Sequence, residues 1–301
     1  MHKLILVLSI FLGFHVPVIS QDELVPTKVA SISTFAEAPV FDPEGNLYVS
    51  EPFGGPISVV SPQGKVAIWA NLDGPNGHKI LADGTHLVCE RVRKVILRLD
   101  SDGKILEEAV TECGGHPLRA PNDIVLDQQG GFYFTDPGNK EDPIGRIGYV
   151  DADGASHLVA EISGFPNGIA ISPDNQILYV ADFANNKILA FPIYAPTKVG
   201  PMKLFTELPN LGDEFGGPDG ILCDESGNLF VAHFGTGNIR ILNPEGKLIR
   251  SLPAGQLWVS NLTFGRPEGK TLYMTGSPKG QTRETGVVYK LDISEGMKAM
   301  R

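Results

Sequence analysis

Six segments of this 301-residue chain repeat one short plan, and that repeat limits the possible folds more than any other feature. The clearest copy is Gly217-Pro218-Asp219-Gly220-Ile221-Leu222-Cys223-Asp224, leading into Gly227-Asn228-Leu229-Phe230-Val231. It reads as a turn presenting one polar side chain, then an apolar strand, a glycine turn and a second strand. Aligned on Asp219, the equivalent positions are Glu37, Asn76, Asn122, Asn167 and Asn261, so every anchor is Glu, Asp or Asn. Eight residues after each anchor stands a turn residue (Gly45, Gly84, Gly130, Asn175, Gly227, Gly269). Ten or eleven after it stands an apolar strand opener (Leu47, Leu87, Phe132, Leu178, Leu229, Leu272). Successive anchors are 39, 46, 45, 52 and 42 residues apart. Self-similarity at this period, built from short strands, is the mark of a β-propeller, here an all-β fold of six blades.

Further turns such as Ser61-Pro62-Gln63-Gly64, Asp100-Ser101-Asp102-Gly103, Asp151-Ala152-Asp153-Gly154 and Asn243-Pro244-Glu245-Gly246 complete four antiparallel strands per repeat. The last repeat is one strand short. The alternating segment Lys28–Phe35 precedes the first anchor and is expected to close the ring by pairing with Gly286–Ile293. Residues 21–301 then form a single domain. Ahead of them, Met1-His2-Lys3, the apolar run Leu4 to Phe14 and Val18-Ile19-Ser20 predict a signal peptide over residues 1–20 and export to the periplasm or outside the cell. That apolar run is too short for a membrane span, and no other approaches ~18 residues. The net charge of −10 comes without any run of Lys and Arg, so a nucleic-acid partner is not expected. Three cysteines, Cys89, Cys113 and Cys223, make no disulfide framework, and their spacing does not suggest zinc.

In a propeller the first strand of each blade lines the central channel. The six anchors should therefore form one ring at one mouth, of two carboxylates and four carboxamides. Two carboxylates packed together would repel unless one took up a proton or a cation balanced them. An all-oxygen set without thiolate or imidazole selects calcium or magnesium over zinc, and a roomy ring of amide carbonyls favours calcium. As isolated turn formers, Asn and Asp before Gly would be unremarkable; their common register across six copies is what points to a site. The second strands end 14 or 15 residues after each anchor, at Glu51, Glu90, Asp136, Asp182, His233 and Thr275. These could orient the anchors as an outer ring, or be exposed strand ends. His233 is also a reserve candidate for a base. The loops Thr111–Ala120, Pro137–Arg146 and Thr206–Gly217 are placed to shape a substrate pocket, with Arg119 able to hold a ligand oxygen. The nucleophile elbow Gly-x-Ser-x-Gly is absent.

The motifs Glu37-Ala38-Pro39-Val40-Phe41-Asp42, Arg119-Ala120-Pro121-Asn122-Asp123, Gly131-Phe132-Tyr133-Phe134-Thr135-Asp136, Phe165-Pro166-Asn167-Gly168 and Gly217-Pro218-Asp219-Gly220 resemble, in order, those of the gluconolactonase and regucalcin (senescence marker protein) family. The resemblance spans roughly residues 30 to 293. It implies a calcium ion held by Glu37, Asn167 and Asp219. It implies that Asn122 contacts the substrate or a water on the metal, and that Asp219 also transfers a proton. Two positions depart from the family pattern: Ala38, where Gly is frequent, and His78, where an apolar residue is usual. Both bear on substrate preference. The activity implied is calcium-dependent hydrolysis of a small-molecule lactone. The alternatives are a phosphotriesterase-type hydrolase on the same scaffold and a non-catalytic propeller that binds a sugar or a partner.

Overall fold

A computed structural model describes residues 24–138, 143–209, 215–266, 269–281 and 284–294. The expected signal peptide lies outside them, as do parts of the loops around 140 and 212. No helix among the described residues is long and apolar enough to cross a membrane.

The strands assemble into six antiparallel blades. Blade 1 is Glu37–Phe41, Leu47–Ser50, Ile57–Val60 and Val66–Ala70, and blade 2 is Pro75–Ile80, His86–Glu90, Val95–Leu99 and Ile105–Val110. Blade 3 is Ile124–Leu126, Phe132–Asp136, Ile144–Val150 and Ser156–Ser163. Blade 4 is Pro166–Ile171, Ile177–Asp182, Lys187–Ala195 and Lys203–Glu207, with the short piece Lys198–Val199 folding back on its long third strand. Blade 5 is Gly217–Cys223, Leu229–Phe234, Asn238–Leu242 and Leu248–Pro253. Blade 6 takes Leu257–Phe264, Thr271–Pro278 and Gly286–Asp292 from the C-terminal end of the chain, and its outer strand, Thr27–Ile32, from the other end. Thr27 lies opposite Lys290 and Ile32 opposite Gly286, so the ring closes by the pairing expected from the sequence. The closing strand is shorter than expected. It stops at Ile32, and Phe35 instead turns toward the channel mouth.

Apolar side chains alternate along each strand and meet those of the next blade, giving one apolar cluster in each of six seams. The closing seam joins Ala30, Ile32 and Val288 of blade 6 to Leu47, Val49 and Val60 of blade 1. Second strands are sandwiched between neighbouring blades and are buried almost throughout, as in Phe132–Asp136 and Leu229–Phe234. Outer strands such as Ile105–Val110 face solvent for most of their length. Cys89 and Cys113 are buried free thiols and Cys223 is a half-buried one. Burial pushes all three up, Cys113 and Cys223 to about 12.

Candidate metal centre and active site

The first strands do not begin as regular ladders. In five blades the pairing with the second strand is interrupted at the anchor: between Glu37 and Val40, Pro75 and His78, Pro166 and Ile169, Pro218 and Ile221, and Val259 and Asn261. In blade 3 the strand starts only at Ile124, after Asn122. A bulge bends the strand and re-aims the side chain that would otherwise alternate into a seam. The proline ahead of four anchors suits this opening, since it has no N–H to place in a ladder. Glycine after the anchor allows close approach of the next blade. A Cβ on Gly168 would lie 2.2 Å from the Asp219 carbonyl oxygen, and one on Gly220 would lie 2.3 Å from the Asn261 amide.

Glu37, Asn76, Asn122, Asn167 and Asp219 thereby share the floor of one cavity of about 920 Å³ at the channel mouth. Asn261 does not line it. Its amide instead donates to Glu37 Oε2 at 3.2 Å, and the Ala38 N–H donates to the same oxygen at 3.0 Å. The Asn167 side chain hydrogen-bonds Asp219. Glu37, Asn122's neighbour Asp123, and Asp219 are all buried. Burial raises Glu37 to about 7, and Asp123 adds to that shift. Burial raises Asp219 well above the usual carboxylate range, with Glu37 the next cause. The protein alone leaves two desolvated carboxylates opposing each other. A dication between them would remove that cost, and the surrounding carboxamides supply neutral oxygens suited to a hard ion. The residues present therefore fit calcium. No metal-holding group of three or more His, Cys, Asp or Glu occurs among the described residues, and three of the five floor anchors are amides.

The second ring is buried at all six positions, so none is an exposed strand end. Its carboxylates have a shared task. Each accepts backbone N–H groups from the loop that feeds its own blade's first strand. Glu51 accepts from Thr34 N at 2.8 Å and Ser58 Oγ at 2.7 Å, and also from Ser33 Oγ. Glu90 accepts from Gly74 N at 3.0 Å, Asp136 from Ala120 N at 2.8 Å and Asp182 from Phe165 N at 3.1 Å. They act on the anchors through the backbone leading to them rather than through the anchor amides. Thr275 bonds within blade 6, to Ser260 and the Asn261 carbonyl. His233 lies outside the cavity lining: its Nε2 meets Asn186 Oδ1 at 2.9 Å and its Nδ1 accepts from Arg240 Nε at 3.3 Å. Burial, then the Arg240 charge, lowers it to about 4.

Arg119 also lies outside the lining. Its guanidinium reaches Asp136 Oδ2 at 3.4 Å and the Ile144 carbonyl at 2.5 Å. Arg91 is the arginine that lines the cavity, 5.3 Å above the Phe53 ring. Sequence spacing carried a signal for it, since Arg91 directly follows the strand-end residue Glu90. His78 belongs to the seam between blades 1 and 2. It is fully buried against Trp69 and bonded to His86 at 2.8 Å. Ala38 carries a φ of 40°, the left-handed region.

Comparison with known proteins bears on this site. Residues 35–277 match the family model for the SMP-30/gluconolactonase/LRE-like region. The lactonase drp35 of Staphylococcus haemolyticus is 31% identical over 277 residues, covering 86% of this chain and 81% of that protein. The diisopropyl-fluorophosphatase of Loligo vulgaris is 29% identical over 280 residues, covering 83% and 88%. Among solved structures, a gluconolactonase from Xanthomonas campestris superposes with a TM-score of 0.77 at 24% identity, covering 90% of each chain. A regucalcin from Agrobacterium tumefaciens gives 0.71 at 20% identity, covering 87% of this chain and 94% of that one. Those two likenesses concern the fold. With the family model spanning most of the ring and every anchor but Asn261 on one cavity floor, the chain belongs to the SMP-30/gluconolactonase/LRE-like family.

Proposed function

We propose that this protein is a calcium-dependent lactone hydrolase that works outside the cytoplasm. Its membership of a hydrolase family supports ester hydrolysis, and the Staphylococcus relatives named lactonase support the lactone. The observation that carries the calcium is the pair of buried carboxylates Glu37 and Asp219 on one cavity floor among amide oxygens, where the Glu37 charge helps to raise Asp219. Glu37, Asn167 and Asp219 would hold the ion. Bound there, a calcium ion supplies Lewis-acid polarisation of the ester carbonyl.

The chain's own residues do the rest. Asn122 lies on the cavity floor and positions the lactone or its attacking water. The Asn167 hydrogen bond orients the Asp219 carboxylate. Asp219 accepts a proton from the attacking water and returns it to the ring oxygen as the C–O bond breaks. Glu37 is a ligand only, pinned by Ala38 N and the Asn261 amide. The leader sequence supports export.

The test is lactone turnover with and without chelator, followed by two variants at saturating calcium. Chelation should abolish turnover and added calcium restore it. Asp219→Asn should lose about 10²-fold or more in kcat, the scale of a lost general base. Glu37→Gln should bind calcium more weakly yet recover much of its rate when calcium is in excess. If Asp219→Asn recovers as fully as Glu37→Gln, Asp219 is a ligand and not a base. A second reading, phosphotriester hydrolysis on the same floor, is favoured by the likeness to the Loligo enzyme. Turnover of a fluorophosphate but of no lactone would select it. A protein that binds calcium and hydrolyses neither would be a non-catalytic propeller.

A further inference from the structure

The cavity floor is polar, and the described part of its walls is mostly apolar. Above the anchors, Arg91 is the one charged side chain among the described lining residues; the others are aromatic rings, Pro, Ala and Gly. The rings form a connected arc. Phe53 and Phe35 of blade 1 are 5.5 Å apart between centroids, and Phe35 is 6.2 Å from Phe234 of blade 5. Phe234 is the hub, 5.7 Å from Trp258 of blade 6 and 6.0 Å from Phe183 of blade 4. Phe183 continues the arc to Phe165 at 6.1 Å and to Phe215 at 5.5 Å. Blades 4, 5, 6 and 1 are thus walled by aromatics, while Arg91, Ala120 and Pro137 of blades 2 and 3 stand opposite. Several of these rings are exposed, Phe215 to 78%. Exposed rings clustered over a catalytic floor are a surface left for an apolar ligand.

We propose that the substrate is a lactone whose ring carries an apolar side chain of several carbons, and that polyhydroxylated sugar lactones are poor substrates. The ester group sits on the anchor floor and the side chain lies along the arc from Phe53 to Phe165. A sugar lactone has a hydroxyl on nearly every carbon. In this mouth those hydroxyls would leave water to face ring carbons, with Arg91 the one charged partner among the described wall residues, and a buried polar group without a partner is costly. An alkyl chain loses nothing there and gains the transfer of each methylene out of water. The hydrolytic part of this proposal rests on the lactonase assignment above; the ligand preference does not.

The experiment therefore has a kinetic arm and a binding arm, both on the full mature chain with calcium. Kinetics compare δ-valerolactone, δ-decalactone and glucono-δ-lactone. Each methylene fully covered corresponds to about fourfold in kcat/KM. δ-Decalactone should therefore exceed both others by about tenfold or more. Glucono-δ-lactone turned over as well as δ-decalactone would overturn the proposal. Binding is read by calorimetry with two unreactive lactams, one bearing a pentyl chain and one bearing the gluconolactone hydroxyls. The pentyl lactam should bind about tenfold tighter, and equal or weaker binding would overturn the proposal even in a protein that hydrolyses no lactone. Failure of every lactone in the kinetic arm with retained pentyl-lactam preference rejects only the lactonase assignment. Phe215→Ser and Phe53→Ser, compared at an unchanged thermal unfolding midpoint, should weaken pentyl-lactam binding severalfold. No change in either would remove the arc from the binding surface.

Discussion

Ala38, buried and next in sequence to the floor residue Glu37, holds a positive φ of 40° that a side chain rarely adopts. Left-handed geometry costs a non-glycine residue about 1–2 kcal/mol, and glycine returns part of that through the entropy of the unfolded chain. Ala38→Gly should therefore stabilise the protein by about 0.5–1 kcal/mol, read as a higher denaturation midpoint. Gly168 is the opposite case. Gly168→Ala drives a Cβ into the Asp219 carbonyl and should destabilise by at least about 1–3 kcal/mol while shifting the carboxylate proposed as the base. His233 makes a pH prediction. Folded, it stays neutral down to about 4, against 6.5 in the unfolded chain. Below 6.5 the unfolded state binds a proton that the folded state does not, so stability is lost as pH falls from 6.5 toward 4. The loss assigned to this group is about 3 kcal/mol. His233→Gln should make the acid limb of stability against pH shallower by about that amount. An unchanged limb would show that His233 titrates normally.

Strands and the loops feeding them depend on each other through the buried carboxylates at the second-strand ends. Asp136 is an example: it takes the N–H groups of Arg119 and Ala120 and the Arg119 guanidinium. Asp136→Ala removes the acceptor of both backbone N–H groups and the carboxylate beside the Arg119 guanidinium, which keeps the Ile144 carbonyl. It should cost about 3 kcal/mol or more and lower turnover by displacing Asn122, two residues beyond Ala120. An active variant of wild-type stability would remove the loop-holding role. The outer strand Thr27–Ile32 carries a comparable burden for blade 6. Deleting it strips Ala30 and Ile32 from the closing seam and exposes the edge of Gly286–Asp292, so the deletion variant should aggregate or unfold at a lower temperature.

At the scale of the whole ring, stability and metal binding are one equilibrium. On the proposed site, calcium binding only to the folded ring would add about 2.7 kcal/mol at one hundred times its Kd, a rise of roughly 5–10 °C in Tm for a domain of this size. The metal-free protein should show the reverse of an ordinary active-site loss. Asp219→Asn and Glu37→Gln each remove one of three buried carboxylates, Glu37, Asp123 and Asp219, whose burial makes ionisation costly, so each should melt higher than wild type in chelator and gain less from calcium. Melting below wild type in chelator would mean that the carboxylates are already balanced within the protein.

The number of blades, the closing strand's partner and the anchors of the floor were legible in the sequence because each depends on a local pattern repeated six times. A period of about 45 residues with a polar residue before each first strand allows few other structures. The apolar seams follow from the alternation within those strands. What only the tertiary structure decided is where side chains outside the repeat meet. Asn261 shares the anchor register yet turns to Glu37, because the direction of a bulge depends on the neighbouring blade. Arg119 and Arg91 occupy comparable loops at the same mouth. Asp136 and the Ile144 carbonyl draw Arg119 away from the cavity, while Arg91 reaches the wall over Phe53. The aromatic arc joins residues of blades 1, 4, 5 and 6 that are distant in sequence. Each ring alone reads as an ordinary strand-end or loop apolar residue, and only closure of the ring places them over one floor.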